Sequence, residues 1–256
     1  MSDSTFTPNN PSLRAVLPTD SATKIYQLVW KIAVATWLLM AVGSATRVMN
    51  AGLACPDWPL CYGQAVPLQQ MNLQVFLEWF HRLDAGLILL STMALCGRSW
   101  WSRKSLPVWL PIMSTVALVL ILLQAALGAF TVTELLRFDI VTAHLGTALL
   151  FFSVILIIGS SLSSVTGTSS KWLTASAGIS ALLIYGQSLL GALVGSQWAL
   201  HQCFGNDRLC NVMNNHLWGV IPATLSVLIF LLLVWRTNGL SKVLRQLSGG
   251  RSESVV

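Results

Sequence analysis

Long apolar runs alternate along this chain with short polar stretches. Runs such as residues 108–129 and 145–158 are apolar almost throughout, with no strict alternation of faces. A membrane barrel strand would be about ten residues long with a period of two, so these runs predict helices. A helical crossing needs about 20 mostly apolar residues. Six such spans are read at residues 25–45, 78–96, 106–132, 139–160, 172–198 and 215–235. Residues 1–24 are polar, with Pro8, Pro11 and Pro18, and are expected to be a disordered cytoplasmic N-terminus. They show neither the order of a signal peptide nor the Arg-rich amphipathic pattern of a transit peptide. That points to a bacterial protein inserted through its first span. Residues 236–256 read as a basic cytoplasmic tail.

Composition agrees with the pattern. Of the 256 residues 54% are hydrophobic and 9% charged, whereas a soluble domain carries about 25% charged residues. A soluble enzyme is excluded on that ground. The net charge of +6 rests on too few residues for a nucleic-acid groove, and the eleven Trp suit the two faces of a bilayer. The expectation is an all-α polytopic membrane protein in contact with lipid. Basic residues set its orientation: Lys24 and Lys31, then Arg98, Arg103 and Lys104, then Lys171, then Arg236, Lys242 and Arg245 fall on alternate segments. Those segments should stay in the cytoplasm, which places both termini inside the bacterial plasma membrane and loops one, three and five outside.

Four of the five cysteines lie in outward loops, Cys55 and Cys61 in loop one and Cys203 and Cys210 in loop five. Each pair closes a short loop in an oxidising compartment, so disulfides Cys55–Cys61 and Cys203–Cys210 are the favoured reading. Free thiols or a metal site remain the alternatives, although the spacings are poor for zinc. Cys96 stands alone at the end of the second span and reads as a packing residue.

An internal repeat carries the candidate chemistry. The third span contains Gln124, Leu127, Gly128 and Ala129; the fifth contains Gln187, Leu190, Gly191 and Ala192; the first ends on Val42, Gly43, Ser44 and Ala45. Small residues let helix backbones approach closely. Each such span is followed by an outer loop and a span with a histidine near its outer end: His81, His144 and His216. One histidine at a membrane interface is more often a hydrogen-bonded interfacial residue than a ligand. Three at one repeat position suggest axial ligands, two of which could hold a haem between facing helices. The second span opens on Glu78, with His81 three and Arg82 four residues on. Glu78 shares a helix face with His81 and could hydrogen-bond a haem-ligating imidazole or handle a proton. Arg82 could pair with a haem propionate, or with Glu78 in a solvated cluster. Arg47 and Arg137 lie on the outer side, where propionates or lipid headgroups could attract them.

These residues together resemble the haem A synthase family. The resemblance rests on Thr46-Arg47, the loop from Asn50 through Cys55, Pro56, Asp57, Trp58, Pro59 and Cys61 to Gly63, Glu78-x-x-His81-Arg82, His144-Leu-Gly-Thr, and Cys203, Cys210 and His216. It implies a reaction, oxidation of the C8 methyl of haem O to a formyl group by two hydroxylations and loss of water, giving haem A for terminal oxidases. It implies that His81 and His144 ligate the substrate haem, that Glu78 is the catalytic carboxylate, and that His216 is one of two ligands to a haem b. Haem O synthase and oxidase assembly factors are the implied partners.

The family pattern has eight spans in two four-helix halves. Residues 25–160 match the N-terminal half and 172–235 the first two helices of the second. The 63 residues between His81 and His144, counted on from His216, reach position 279, beyond Val256. The expectation is therefore a four-helix half-bundle plus an incomplete second half, with His201 a weak substitute for the fourth ligand. Three alternatives to an active synthase follow: a truncated inactive form, a non-catalytic bis-His haem carrier or chaperone, and a bundle whose histidines are structural.

Overall fold

A computed structural model describes residues 20–163, 170–195 and 207–236. Six helices cover most of them: α1 (Asp20–Val48), α2 (Leu73–Trp101), α3 (Trp109–Thr133), α4 (Phe138–Leu162), α5 (Lys171–Val194) and α6 (Asp207–Arg236). Five are long and apolar enough to cross a membrane. The sixth, α2, has the same 29 residues as α1 but carries Glu78, His81, Arg82 and Asp84 in its first half. The chain is an all-helical multi-pass membrane protein.

Helix ends differ from the hydropathy pattern where local chemistry sets them. Residues 20–24, expected in the disordered leader, are helical: no proline lies between Pro18 and Pro56 to interrupt the helix. Helix α2 starts five residues early because Asn72 caps it, its Oδ1 accepting from the Val75 N–H at 3.0 Å. Helix α3 starts at Trp109, since Leu106 precedes Pro107 and is steered away from helical backbone. Helix α6 begins at Asp207, in a polar stretch that hydropathy leaves out. The end of the fifth expected span, the tail 237–256 and most of the leader fall outside the described residues.

Helices α1 to α4 close a ring, in which α1 and α3 each pack against both α2 and α4; α5 docks on α4 and pairs with α6. Gly146 of α4 permits that docking. A Cβ there would lie 3.0 Å from both Leu189 Cδ2 and Tyr185 Oη of α5. Arg47, at the end of α1, also reaches α5 and donates to the Ala192 carbonyl at 2.9 Å. Carbonyls in the last turn of a helix have no intrahelical partner and carry its negative end. Arg47 therefore holds the α5 terminus, a role that neither propionate nor headgroup pairing anticipated.

The dense core fills one end of the ring. Ile25, Val29 and Ile32 of α1 meet Ile88 and Leu95 of α2, Leu110, Ala117 and Ile121 of α3, and Phe151, Ile155 and Ile158 of α4. Buried hydroxyls among them, such as Thr36, Thr92 and Ser99, return their O–H to a carbonyl one turn back, so no polar group is stranded. Cys96 is buried with its Sγ 3.6 Å from Thr115 Oγ1, as a packing residue should be. Toward the other end the filling stops: none of residues 37–45, 79–87, 122–131 and 138–145 is classed as buried.

Beyond that level loop one forms a cap. Cys55 and Cys61 make a disulfide with Cα atoms 4.8 Å apart, and both pack with Val75, Met71 and Trp79. Asp57 binds the turn inside the disulfide loop: Oδ1 accepts from Tyr62 N–H at 2.6 Å and Oδ2 from Gly63 N–H at 2.7 Å. Tyr62 and Gly63 both have positive φ, 55° and 68°, a conformation that the two bonds secure. The Gly63 N–H, then that of Tyr62 and the charge of Arg82, hold the Asp57 carboxyl below its ordinary value of 3.8.

A lowered carboxyl pKa contributes stability above the unfolded value and loses it as pH falls through the folded one. Protection of the Tyr62 and Gly63 amides from hydrogen exchange should therefore hold above about pH 4 and be lost below it; Asp57→Asn should reduce it at neutral pH. In the core, Phe151→Ala should cost about 3–5 kcal/mol, read by unfolding in mixed detergent micelles.

Candidate functional site

The three histidines stand within the first three turns of α2, α4 and α6. Each ring lies against a glycine of the preceding helix. A Cβ at Gly43 would come 2.9 Å from His81 Cε1, one at Gly128 3.3 Å from His144 Cε1, and one at Gly191 2.9 Å from His216 Cε1. The repeated small residue is thus a seat for an imidazole: three hairpins, α1–α2, α3–α4 and α5–α6, make the same contact. A side chain on the glycine would push the ring off.

His81 and His144 both stand at the thinly packed level between core and cap. The Nδ1 atoms of both rings are buried without a hydrogen-bond partner. Such groups are rare in folded proteins and call for an explanation at each instance. His144 Nε2 does have a neighbour, the Gln124 side-chain amide nitrogen at 3.2 Å, while Gln124 Oε1 is buried and unpartnered. Gln124 lies one turn before Gly128. Gln187 has the same place before Gly191, and its amide nitrogen donates to the His216 carbonyl at 2.7 Å and meets His216 Nδ1 at 2.9 Å. The corresponding position in α1 is Leu39. The repeated phrase had shown these glutamines in sequence; their shared spacing of four to the glycine was the signal for a role beside the histidines.

Glu78 and Arg82 form an ion pair across one helical turn, buried under the cap rather than solvated. The second Glu78 oxygen accepts from the Cys55 N–H at 2.8 Å. Arg82 donates through Nη1 to the Asp57 carbonyl at 2.5 Å and the Leu60 carbonyl at 2.7 Å, and through Nη2 to the Cys55 carbonyl at 3.2 Å. Both side chains thus fasten the disulfide loop over the histidine level, and the Arg82 guanidinium bonds loop carbonyls as well as Glu78. Arg137 is paired locally. It holds Asp139 through two bonds of 2.8 and 2.7 Å and lies 3.6 Å from Glu134, which raises its pKa through the Asp139 bond first. The pairing of Cys203 with Cys210, and His201, lie outside the described residues and side chains.

Two of the glycine seats, one tight and one looser, make a stability prediction. Gly43→Ala should destabilise the protein by about 1–3 kcal/mol through overpacking against His81. Gly128→Ala has a few tenths of an ångström more room, and removal of a mid-helix glycine gains about 0.5–1 kcal/mol, so it should be close to neutral. Unfolding in mixed micelles compares the two.

Similarity to known proteins agrees with this architecture. A haem A synthase of Shewanella oneidensis is 32% identical over 203 residues, 69% of this chain and 59% of that protein. A haem A synthase of Bacillus pumilus is 30% identical over 125 residues, 47% of this chain and 39% of its own length. A protein of Halobacterium salinarum named protoheme IX farnesyltransferase is 28% identical over 156 residues, 60% of this chain and 33% of that protein. The chain thus spans less than two thirds of each of these relatives. Residues 26–238 match a family described as cytochrome oxidase assembly protein, and the chain belongs to that family, COX15-CtaA.

Proposed function

We propose that the protein is a haem A synthase, an oxidoreductase that converts the C8 methyl of haem O to a formyl group. The carrying observation is the pair His81 and His144, placed at one poorly filled level between core and cap, each with a buried nitrogen lacking a partner. A haem suits that set: two neutral imidazoles for the iron and an apolar surround for the macrocycle. His81 and His144 would hold the substrate haem. Glu78, one turn from His81, would stand at the reacting edge and move a proton or stabilise positive charge there.

His216 fits one axial position of a resident haem b, because its ring sits on Gly191 as the other two sit on their glycines and is steadied by Gln187. When bound, that haem would supply one-electron chemistry; the residues of this chain hold and orient its ligand. Alternating basic segments support an orientation with both termini in the cytoplasm and the capped end outside. Resemblance of part of a farnesyltransferase acting on protohaem to this chain supports haem O synthase as a partner.

A second reading has one observation in its favour. Both Glu78 oxygens are already engaged, by Arg82 and by the Cys55 N–H, which suits a structural carboxylate in a non-catalytic bis-His haem carrier. One experiment separates the two readings. Membranes containing the full chain and supplied with haem O are extracted, and the pigments are resolved. Haem A should form, and Glu78→Gln should lower its yield by about 100-fold or more, compared per molecule that still shows a six-coordinate haem spectrum. Haem bound but never converted would establish the carrier reading.

A further inference from the structure

The same glutamine recurs one turn before the glycine seat in α3 and α5, yet it meets a different edge of the imidazole in each hairpin. Gln187 reaches His216 at Nδ1 and is anchored by a second bond to the His216 carbonyl. Gln187 therefore lies at the Nδ1 edge of its ring and not at Nε2. Gln124 reaches His144 at Nε2 itself. As placed, the amide nitrogen, a donor only, faces Nε2, the arrangement that goes with a ring proton on Nδ1. That is the tautomer a metal takes at Nε2, with the lone pair already occupied. His81 has no such amide: Leu39 stands at that place in α1.

We infer that Gln124 is a positioning residue that makes His144 the exchangeable ligand of the first pair. It keeps His144 in the ligating tautomer while no iron is bound, and it must leave Nε2 before iron can take the site. Each haem bound there displaces one hydrogen bond, and each haem released regains it. A site that passes a substrate through needs such a bond. At His216 the amide meets Nδ1, so no Gln187 bond at Nε2 has to be given up. The inference rests on the reading of His81 and His144 as haem ligands.

The test uses the full chain purified in detergent with His216→Ala, so that one site is titrated, and haem b as the probe. Affinity and spin state are read from the optical spectrum. Gln124→Leu, which installs the residue that α1 tolerates at this place, should tighten binding about five-fold, the equivalent of one neutral hydrogen bond. Gln124→Asn, one methylene too short to reach the ring, should move in the same direction and serves if the leucine variant does not fold. Gln124→Glu should accept the proton of Nε2, pin the wrong tautomer, and turn the six-coordinate low-spin haem into a five-coordinate high-spin one at neutral pH. Unchanged or weaker binding in both Gln124→Leu and Gln124→Asn, with the six-coordinate spectrum kept, would overturn the inference alone. Absence of a six-coordinate haem in the parent with Gln124 intact would overturn the ligand reading, and the inference with it.

Discussion

The contact on which the outer half of this molecule depends is the buried Arg82 guanidinium. Glu78 balances its charge from one turn away, and three carbonyls of loop one take most of its remaining N–H groups. Removing one partner of a buried ion pair is strongly destabilising, because the other charge is left uncompensated in a medium of low dielectric. Arg82 therefore does not relax into another pose without releasing the cap. Through it the disulfide loop, the first turns of α2 and the ring of His81 form one mechanical unit. The disulfide shortens the loop, and Asp57 shapes its turn. Arg82 and Glu78 tie it to the bundle.

Much of this was legible in the sequence. Six apolar stretches gave six helices, because a segment in lipid must satisfy its own backbone hydrogen bonds and has few ways to do so. The repeat of small residue and histidine was legible for the same reason: a ring can sit against a helix backbone only where no Cβ stands. What sequence could not supply is which partner a side chain chooses. Arg47, Arg82 and Arg137 all suited an anionic ligand by position, and each has instead a partner within the protein: a helix terminus, the carbonyls of a loop, a neighbouring aspartate. Charges near the end of a bundle have many neighbours at similar distance in sequence, and only the folded loop decides among them. Helix boundaries failed for a related reason. A cap such as Asn72, or a polar first turn such as that of α6, carries no apolar signal.

The three hairpins also show how a repeat diverges without losing its plan. Glycine and histidine are common to all, whereas the residue one turn before the glycine varies in kind and in aim: leucine, an amide against Nε2, an amide against Nδ1. The backbone arrangement fixes where the imidazole lies, and this one position decides which edge of the ring, if any, an amide meets.

Stiffness is distributed unevenly along the bundle axis. One end is cemented by interlocked aliphatic side chains, the other is lidded by a cross-linked loop, and the storey between them is thinly furnished. Between two fastened ends, the histidine level is where side-chain packing resists least.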